Sequence, residues 1–201
     1  MLLKDKQRLL NYYNDSLKEY GEGAQSVHWL NQNTQKIRFE ILSKVANLNN
    51  KSILDVGCGL GDYYKFLISK NINVDYTGID IVPKFIEKAH KFFPSLKFQV
   101  KDVSDLDKNY DYILASGAFS FRVEDSKNYY FSLIRKMFEH ARYGIAFNML
   151  NSTIHNTDET YFAYNIDEVL VYCKTMTDNV QVVSNYLPQD FTVYMYKQNI
   201  E

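Results

Sequence analysis

Cysteine is scarce in this sequence, and the two cysteines that occur lie far apart. Cys58 and Cys173 form neither a CxxC pair nor part of a Cys/His cluster. The sequence therefore excludes a structural zinc site and indicates no disulfide framework, and we expect no bound metal ion.

Long apolar stretches and runs of basic residues are also missing. No segment approaches the roughly 20 apolar residues that cross a bilayer. The first eight residues carry four charges, so they lack the apolar core of a signal peptide. The formal net charge is -1, and no run of lysines and arginines offers a patch for nucleic acid or anionic lipid. We expect a cytoplasmic protein that binds no membrane, and we do not favour nucleic acid as its partner.

The composition suits one soluble domain: 201 residues, 46% hydrophobic and 23% charged, with no linker rich in glycine, serine or proline. Two amphipathic helices are predicted before the first strand. Their apolar faces are expected to carry Leu3, Leu10, Tyr13, Leu17 and Tyr20 in the first helix, and Ile37, Ile41, Val45 and Leu48 in the second. We divide the chain into an N-terminal helical cap, residues 1–48, and a core, residues 49–201, of the same domain.

From residue 51 onward, strand and helix patterns alternate. The predicted strands are SILDVGC, VDYTGID, LKFQVKD, YDYILASG, YGIAFNML, VQVVSNYL and FTVYMYK. The turn Pro188–Asp190 between the last two is too short for a crossover helix, so that pair must be antiparallel. The sequence predicts an α/β fold with a seven-stranded, mostly parallel sheet, an antiparallel last strand and helices on both faces.

A glycine-rich loop follows the first strand, where open α/β sheets bind ligands. Gly57, Gly59 and Gly61 alternate with Cys58 and Leu60, which lets a ligand approach the backbone closely. A tight turn without a ligand is the simplest alternative. A dinucleotide site is another, but its GxGxxG pattern would need glycine where Asp62 stands, and that carboxylate would repel a pyrophosphate. Asp55, in contrast, suits a positively charged ligand without phosphates.

The segment ILDVGCGLG resembles motif I of the class I S-adenosylmethionine-dependent methyltransferases. The resemblance covers roughly residues 50 to 197. It implies a Rossmann-like fold, S-adenosylmethionine as cofactor and S-adenosylhomocysteine as product. The backbone of Gly57, Gly59 and Gly61 would line the methionine and ribose, and Asp55 would lie near the ammonium group.

Acidic residues close the next two strands at the expected intervals. Asp80 lies 19 residues after Gly61 and is expected to accept hydrogen bonds from both ribose hydroxyls. Ile81 would then lie against the adenine. The alternative for Asp80 is a helix cap before Pro83. The resemblance assigns the adenine amino group to Asp102 and a ring nitrogen to the backbone amide of Val103. The alternative is a solvated loop aspartate.

The fourth strand ends in Ala115-Ser116-Gly117-Ala118-Phe119, where the transferable methyl points in the resembling family. Ser116 is therefore a candidate cofactor contact, and Phe119 or Phe121 is a candidate neighbour of the acceptor. The loop has neither the Asn/Asp-Pro-Pro-aromatic motif of base-amino methyltransferases nor a Pro-Cys pair. Both absences count against a nucleic-acid acceptor.

The cap and two later segments carry further candidates. Arg38 is predicted to pair with the methionine carboxylate; the alternative is an exposed arginine on an amphipathic helix. Trp29 is expected to lie either in the core or in a lid, and the sequence favours neither. His28 is a candidate base, but a structural role is favoured. His155 and Tyr161 belong to a polar insert that is a candidate lid. For Asp190 we favour a bond to its own turn over contact with the acceptor.

The function predicted from these residues is transfer of a methyl group from S-adenosylmethionine to a nitrogen or oxygen of a small-molecule acceptor. No convincing general base is recognisable in the sequence. The alternatives are an RNA or protein methyltransferase, a non-catalytic S-adenosylmethionine-binding module and a nucleotide-dependent oxidoreductase. The acceptor and the oligomeric state stay open.

Overall fold

A computed structural model describes residues 1–21 and 32–197 of the chain. The helices are α1 (Leu3–Tyr20), α2 (Gln32–Leu42), α3 (Asp62–Ser69), α4 (Pro83–Phe92), α5 (Ser126–His140) and α6 (Ile166–Lys174). The strands are β1 (Ser52–Val56), β2 (Asp75–Asp80), β3 (Lys97–Val100), β4 (Tyr110–Ala115), β5 (Ala141–Leu150), β6 (Val180–Val183) and β7 (Asp190–Tyr196). Single 3₁₀ turns follow α2 and β3.

The seven strands form one sheet in the order β3-β2-β1-β4-β5-β7-β6. The pairs among β1 to β5 are parallel, and β7 runs antiparallel to both β5 and β6. The predicted α/β fold, with its reversed last strand, is confirmed. The strand order turns in opposite directions on either side of β1 and β4, which opens a crevice at their carboxyl ends.

Side chains alternate between two apolar layers along the central strands, as the two-residue period of a strand requires. Leu54 and Val56 of β1 face the layer that contains α5 and α6, whereas Ile53 faces the layer of α2 and α3. In β4, Ile113 faces the layer of α5 and α6, and Leu114 faces the layer of α2 and α3. Helices therefore cover both faces of the sheet, as predicted.

The first two helices bury most of the expected apolar residues, but their buried faces also contain polar residues that were not predicted. In α1, Leu17 is buried as expected, but Leu3 is 83% exposed and Tyr20 45% exposed. Asp5 is buried instead, because its carboxylate accepts a hydrogen bond from the backbone N–H of Glu124 at 2.9 Å. In α2 the buried face likewise includes the polar residue Arg38. Apolar spacing missed both helices' polar anchors because their partners lie far away in sequence.

Candidate functional site

The main cleft of the described chain opens at the carboxyl ends of β1, β2 and β4, beneath α1. Its space of about 1000 Å³ includes the solvent at its open mouth. The predicted site residues in its lining are Asp55, Gly57, Gly59, Asp80, Ile81, Asp102, Val103 and Ser116. One cleft thus brings together four strand ends, those of β1, β2, β3 and β4, that are separate in sequence.

The glycine loop is anchored to the neighbouring strand. The backbone N–H groups of Gly57 and Cys58 donate to the carbonyl of Ile79 at 2.9 and 3.0 Å. Gly57 has φ +70°, and a Cβ there would stand 2.8 Å from the Cβ of Ala118. Glycine at this position therefore allows the β1 and β4 loops to touch while leaving a bare backbone towards the cleft.

Gly61 has a different role from the other two loop glycines. Its φ is +85°, and a Cβ there would stand 3.1 Å from the ring of Phe93 and 3.2 Å from that of Phe98. It is not among the residues that line the cleft. Its bare backbone serves the packing of α3 against these rings, and its predicted cofactor contact stays a prediction.

Asp55 forms the floor of the cleft. Its carboxylate is 2% exposed and accepts a hydrogen bond from the hydroxyl of Tyr76 at 2.6 Å. Burial raises the pKa of Asp55 to about 7; the Tyr76 bond lowers it, and the nearby Asp80 and Asp62 raise it further. A buried carboxylate without a cationic partner of its own in this network favours a ligand that brings a positive charge.

Asp80 ties β2 to the glycine loop. One carboxylate oxygen accepts from the backbone N–H of Gly59 at 3.0 Å, and the other accepts from that of Val82 at 2.9 Å. Burial raises the pKa of Asp80 to about 6, and these backbone bonds oppose the rise. A carboxylate has about four acceptor sites, so acceptor capacity remains for a ribose hydroxyl beside the backbone bonds from Gly59, Val82 and Ile81. Both the local backbone contact and the ribose contact are compatible with this geometry.

The third strand end contributes another part of the cleft wall. Asp102 accepts from the backbone N–H and the hydroxyl of Ser104, at 2.9 and 3.0 Å, while Val103 is buried. Asp102 lines the cleft, whereas Asp105 and Asp107 do not, and Asp107 pairs with Lys101 at 2.5 Å. Of the three neighbouring acids, Asp102 is therefore the one placed to face a ligand.

The β4 loop is held by a residue that the sequence analysis missed. Asn148, 2% exposed in β5, accepts from the backbone N–H of Gly117 at 2.8 Å, and its amide donates to the hydroxyl of Ser116 at 3.3 Å. The available signal was an isolated polar residue within the apolar strand YGIAFNML. Phe119 and Phe121, both predicted neighbours of the acceptor, line the same cleft.

Arg38 is neither exposed nor in the cleft lining. It is 4% exposed, and its guanidinium donates to the carboxylate of Asp190 at 2.5 Å, which is 3% exposed. The exposed-arginine alternative is wrong. The side chain of Asp190, predicted to bond to its own turn, forms this buried ion pair instead, while the backbone N–H of Asp190 donates within the turn to the carbonyl of Leu187 at 3.2 Å. Arg38 as a partner of the cofactor carboxylate stays a prediction. Gln35, one turn earlier, lines the cleft and donates to Asp62 at 3.2 Å.

Helix α1 roofs the cleft. Leu9 and Tyr13 belong to its lining, and the ring of Tyr13 packs against Phe85 with centroids 5.6 Å apart. The hydroxyl of Tyr12 is 2.7 Å from that of Tyr161 in the polar insert. Trp29 and His28 lie outside the described residues.

The lining fits S-adenosylmethionine on structural grounds. A bare glycine backbone faces the cleft, Asp55 is placed for an ammonium group, and Asp80 is placed for a diol. A pyrophosphate at the start of α3 would meet the carboxylate of Asp62, which disfavours the dinucleotide arrangement. Fold and cleft together define a class I S-adenosylmethionine-dependent methyltransferase.

Comparison with known proteins agrees with this class. Residues 53–159, just over half of the chain, match the family described as "Methyltransferase domain". The chain belongs to this family. The protein is therefore an enzyme that uses S-adenosylmethionine to methylate an acceptor and releases S-adenosylhomocysteine.

Relatives and solved structures show the same relationship. A Mycobacterium tuberculosis protein whose name places it among the methyltransferases is 28% identical over 162 residues, 73% of this chain and 93% of the relative. The malonyl-[acyl-carrier protein] O-methyltransferase of Acetivibrio thermocellus is 30% identical over 124 residues, 58% of this chain and 41% of that enzyme. The chain thus matches less than half of the latter's length.

Among solved structures, magnesium protoporphyrin IX methyltransferase from Synechocystis, with bound S-adenosylmethionine, superposes with a TM-score of 0.71 at 14% identity, covering 98% of this chain and 99% of that one. The plantazolicin methyltransferase in complex with S-adenosylhomocysteine gives 0.64 at 16% identity, covering 98% of both chains. At such identities these structures show the shared fold.

The described residues contain neither a membrane-spanning helix nor a metal-binding cluster. No helix in the two described ranges has the length and apolar character needed to span a membrane. Within the same residues no group of three or more histidines, cysteines, aspartates or glutamates is arranged to hold a metal ion.

Proposed function

We propose that this methyltransferase acts on a nitrogen or oxygen of a small molecule. The observation that carries the proposal is the charge of the cleft lining. Among described residues, Lys101 is the one basic side chain that lines the cleft, and it pairs with Asp107. Nucleic-acid substrates are normally bound through several lysines and arginines that contact phosphates. A cleft so poor in positive charge favours a small acceptor without a phosphate backbone.

The roof of the cleft supports the same conclusion. Helix α1 crosses it, and aromatic side chains from α1 and from the β4 loop, Tyr13, Phe119 and Phe121, line it. An acceptor must reach the methyl group beneath this roof, which favours a compact or flat molecule over a folded protein. The names of two similar proteins, an acyl-carrier-protein O-methyltransferase and a plantazolicin methyltransferase, indicate that relatives and fold neighbours use diverse acceptors.

We assign the cofactor contacts as follows. Asp55 holds the ammonium group, the backbone of Gly57, Gly59 and Gly61 follows the methionine and ribose, and Asp80 accepts the ribose hydroxyls. Ile81 and Val103 enclose the adenine and Asp102 accepts from its amino group, with Ser116 near the sulfur. Arg38 and Trp29 complete the methionine end. Residues 1–48 act as a cap over the core, residues 49–201.

The bound cofactor supplies a methyl group on a sulfonium centre, which needs little chemical help from the protein. The chain contributes position: Asp55 and Asp80 fix the two ends of the cofactor, and α1 with the aromatic lining excludes water. Holding the acceptor in line with the methyl group is the main source of rate in such a site.

Calorimetric titration with S-adenosylmethionine and S-adenosylhomocysteine tests the cofactor site, and we expect micromolar affinity for both. Incubation with methyl-labelled S-adenosylmethionine and three separate substrate pools, small molecules, RNA and protein, tests the acceptor. We expect label in the small-molecule pool. Label confined to RNA or protein would overturn the proposal, and cofactor binding without transfer to any pool would favour a non-catalytic binding module.

A further inference from the structure

An asparagine of β5 holds the peptide bond that joins Ser116 to Gly117. Asn148 is 2% exposed and pairs with Thr192 of β7 in the sheet. Its Oδ1 accepts a hydrogen bond from the backbone N–H of Gly117 at 2.8 Å, and its Nδ2 donates to Oγ of Ser116 at 3.3 Å. Because an N–H group needs an acceptor, the bond from Gly117 fixes which end of the amide faces which residue.

The asparagine reaches the loop from behind the cleft wall. Ser116 and Gly117 are half-buried and line the cleft, whereas Asn148 does not belong to the lining. The described residues contain no cis peptide bond, and in a trans peptide the N–H and C=O groups point in opposite directions. Because the N–H of Gly117 points to Asn148, the carbonyl of Ser116 points away from it.

The carbonyl of Ser116 is available to a ligand. Among residues 1–21 and 32–197, no backbone or side-chain group donates a hydrogen bond to this oxygen. A peptide carbonyl oxygen carries partial negative charge, and a peptide N–H carries partial positive charge. S-adenosylmethionine has a positively charged sulfonium, whereas S-adenosylhomocysteine has a neutral thioether. A carbonyl oxygen beside the sulfur therefore favours the cofactor over the product.

Glycine makes the direction of this peptide reversible. Gly117 has φ +71°, a left-handed value that glycine adopts without a steric penalty. Reversal of the Ser116–Gly117 peptide carries the φ of Gly117 to a negative value, which glycine adopts equally readily. The N–H would then take the place of the carbonyl. Reversal breaks the bond between Gly117 and Asn148, so that bond opposes it.

We propose that Asn148 is a positioning residue: it keeps the carbonyl of Ser116 turned towards the sulfur of the bound cofactor, so that the enzyme prefers the sulfonium to the thioether product. The inference rests on the cofactor contacts proposed above, in which Ser116 lies near the sulfur. Asn148 acts on the ligand only through the peptide that it holds. Such a preference favours the exchange of product for fresh cofactor after each turnover.

Calorimetric titration with the two ligands tests the proposal without an acceptor. The ratio Kd(S-adenosylmethionine)/Kd(S-adenosylhomocysteine) cancels any loss of affinity that both ligands share. In Asn148→Ala the Gly117 N–H loses its acceptor, and we expect this ratio to rise at least about fivefold over the wild-type value. Asn148→Asp has the same shape and still accepts from Gly117, so its ratio should not rise. An unchanged ratio in Asn148→Ala, or an equal rise in both variants, would contradict the role of Asn148.

Two control variants separate the groups involved. Ser116→Ala removes the hydroxyl and keeps the peptide, so its ratio should stay within about twofold of the wild-type value. A fivefold rise there would assign the preference to the hydroxyl and overturn the role of the carbonyl. Asn151→Ala is the matched control, because Asn151 is 9% exposed and its side chain accepts from Thr153. Its ratio should equal the wild-type ratio even where stability falls; a rise equal to that of Asn148→Ala would reduce the effect to general destabilisation.

Amide hydrogen exchange, followed by NMR in the ligand-free protein, tests the bond itself. The Gly117 amide should exchange at least about tenfold faster in Asn148→Ala than in the wild type, measured relative to amides of β4, and Asn148→Asp should restore its protection. Equal protection in the wild type and in Asn148→Ala would overturn the hold on the peptide. Failure of both ligands to bind the wild type would instead overturn the proposed cofactor site, and the preference for the sulfonium with it.

Discussion

The two edges of the sheet beside the cleft are built in different ways. At the β1–β2–β3 edge, each functional side chain follows its own strand directly: Asp55 and the glycine loop after β1, Asp80 at the end of β2 and Asp102 after β3. At the β4–β5–β7 edge, the key contacts join distant segments, as in Arg38 with Asp190 and Tyr12 with Tyr161. The first edge depends on local backbone geometry, and the second depends on pairing across the fold. Mutations should therefore affect ligand affinity at one edge and stability or turnover at the other.

The largest expected effect is on stability at the β4–β5–β7 edge. Arg38→Ala leaves the carboxylate of Asp190 buried without its guanidinium, which we expect to cost about 3–5 kcal/mol in the free energy of unfolding. Urea denaturation measures this loss. Lys70→Ala, which removes a half-exposed ion pair with Glu40, should cost no more than about 1 kcal/mol.

A double variant sharpens this prediction. Arg38→Met with Asp190→Leu removes both charges together and should recover most of the lost stability. If Arg38 also holds the cofactor, as proposed, Arg38→Ala will lower the affinity for S-adenosylhomocysteine as well as the urea midpoint. A strong loss of affinity with an almost unchanged urea midpoint would instead mean that the Asp190 pair does not stabilise the fold. That result would break the contrast between the two edges.

The next largest effect is at the glycine loop. Gly57→Ala places a Cβ at φ +70° and 2.8 Å from Ala118, so we expect about 2–3 kcal/mol of destabilisation and at least about a thirtyfold loss of S-adenosylhomocysteine affinity. Gly21→Ala is a matched control, because Gly21 has φ +69° and nothing within 4 Å of the added Cβ. It isolates the conformational cost from the steric one. Equal destabilisation in both variants, with affinity retained, would contradict the role assigned to the loop.

Asp80→Asn should affect affinity more than stability. The amide has one acceptor oxygen for the N–H groups of Gly59 and Val82, and it has no charge to strengthen bonds from ribose hydroxyls. We expect a tenfold to fiftyfold weaker Kd for S-adenosylhomocysteine by calorimetry. Asp75→Asn at the exposed start of the same strand should leave the Kd unchanged. An unchanged Kd in Asp80→Asn would remove the ribose contact from the site.

The smallest effect is the pH dependence of cofactor binding. Burial raises the pKa of Asp55 to about 7, so this carboxyl becomes protonated between pH 7.5 and 6 and attracts the ammonium group less. The affinity for S-adenosylhomocysteine should fall up to about eightfold over this range through Asp55, and Asp55→Asn should leave only the smaller fall that is due to Asp80, whose pKa is about 6. An equal pH dependence in the variant would assign it to another group.

The same carboxyl should make the ligand-free protein less stable at higher pH. Because the folded-state pKa of Asp55 lies above its unfolded value, its contribution to stability is present at low pH and is lost as the pH rises towards 7. Asp55→Asn should therefore raise the melting temperature of the ligand-free protein at pH 8 while weakening its ligand affinity. At the β1–β2–β3 edge, the same carboxylate would then lower the stability of the ligand-free protein and raise its affinity for the ligand.

The sequence alone determined the fold, because alternating strand and helix patterns and the short turn before Phe191 leave few other topologies. It also predicted the β1–β2–β3 residues, since a motif that follows its own strand reaches the carboxyl edge wherever the strand lies. Tertiary structure alone decided the rest. Apolar periodicity predicted most of the apolar residues that α1 and α2 bury, but it missed the polar residues Asp5 and Arg38, whose partners Glu124 and Asp190 lie far away in sequence. Contacts between residues 149 and 152 positions apart, Tyr12 with Tyr161 and Arg38 with Asp190, leave no local pattern, and only the packing of the cap against the core brings these residues together.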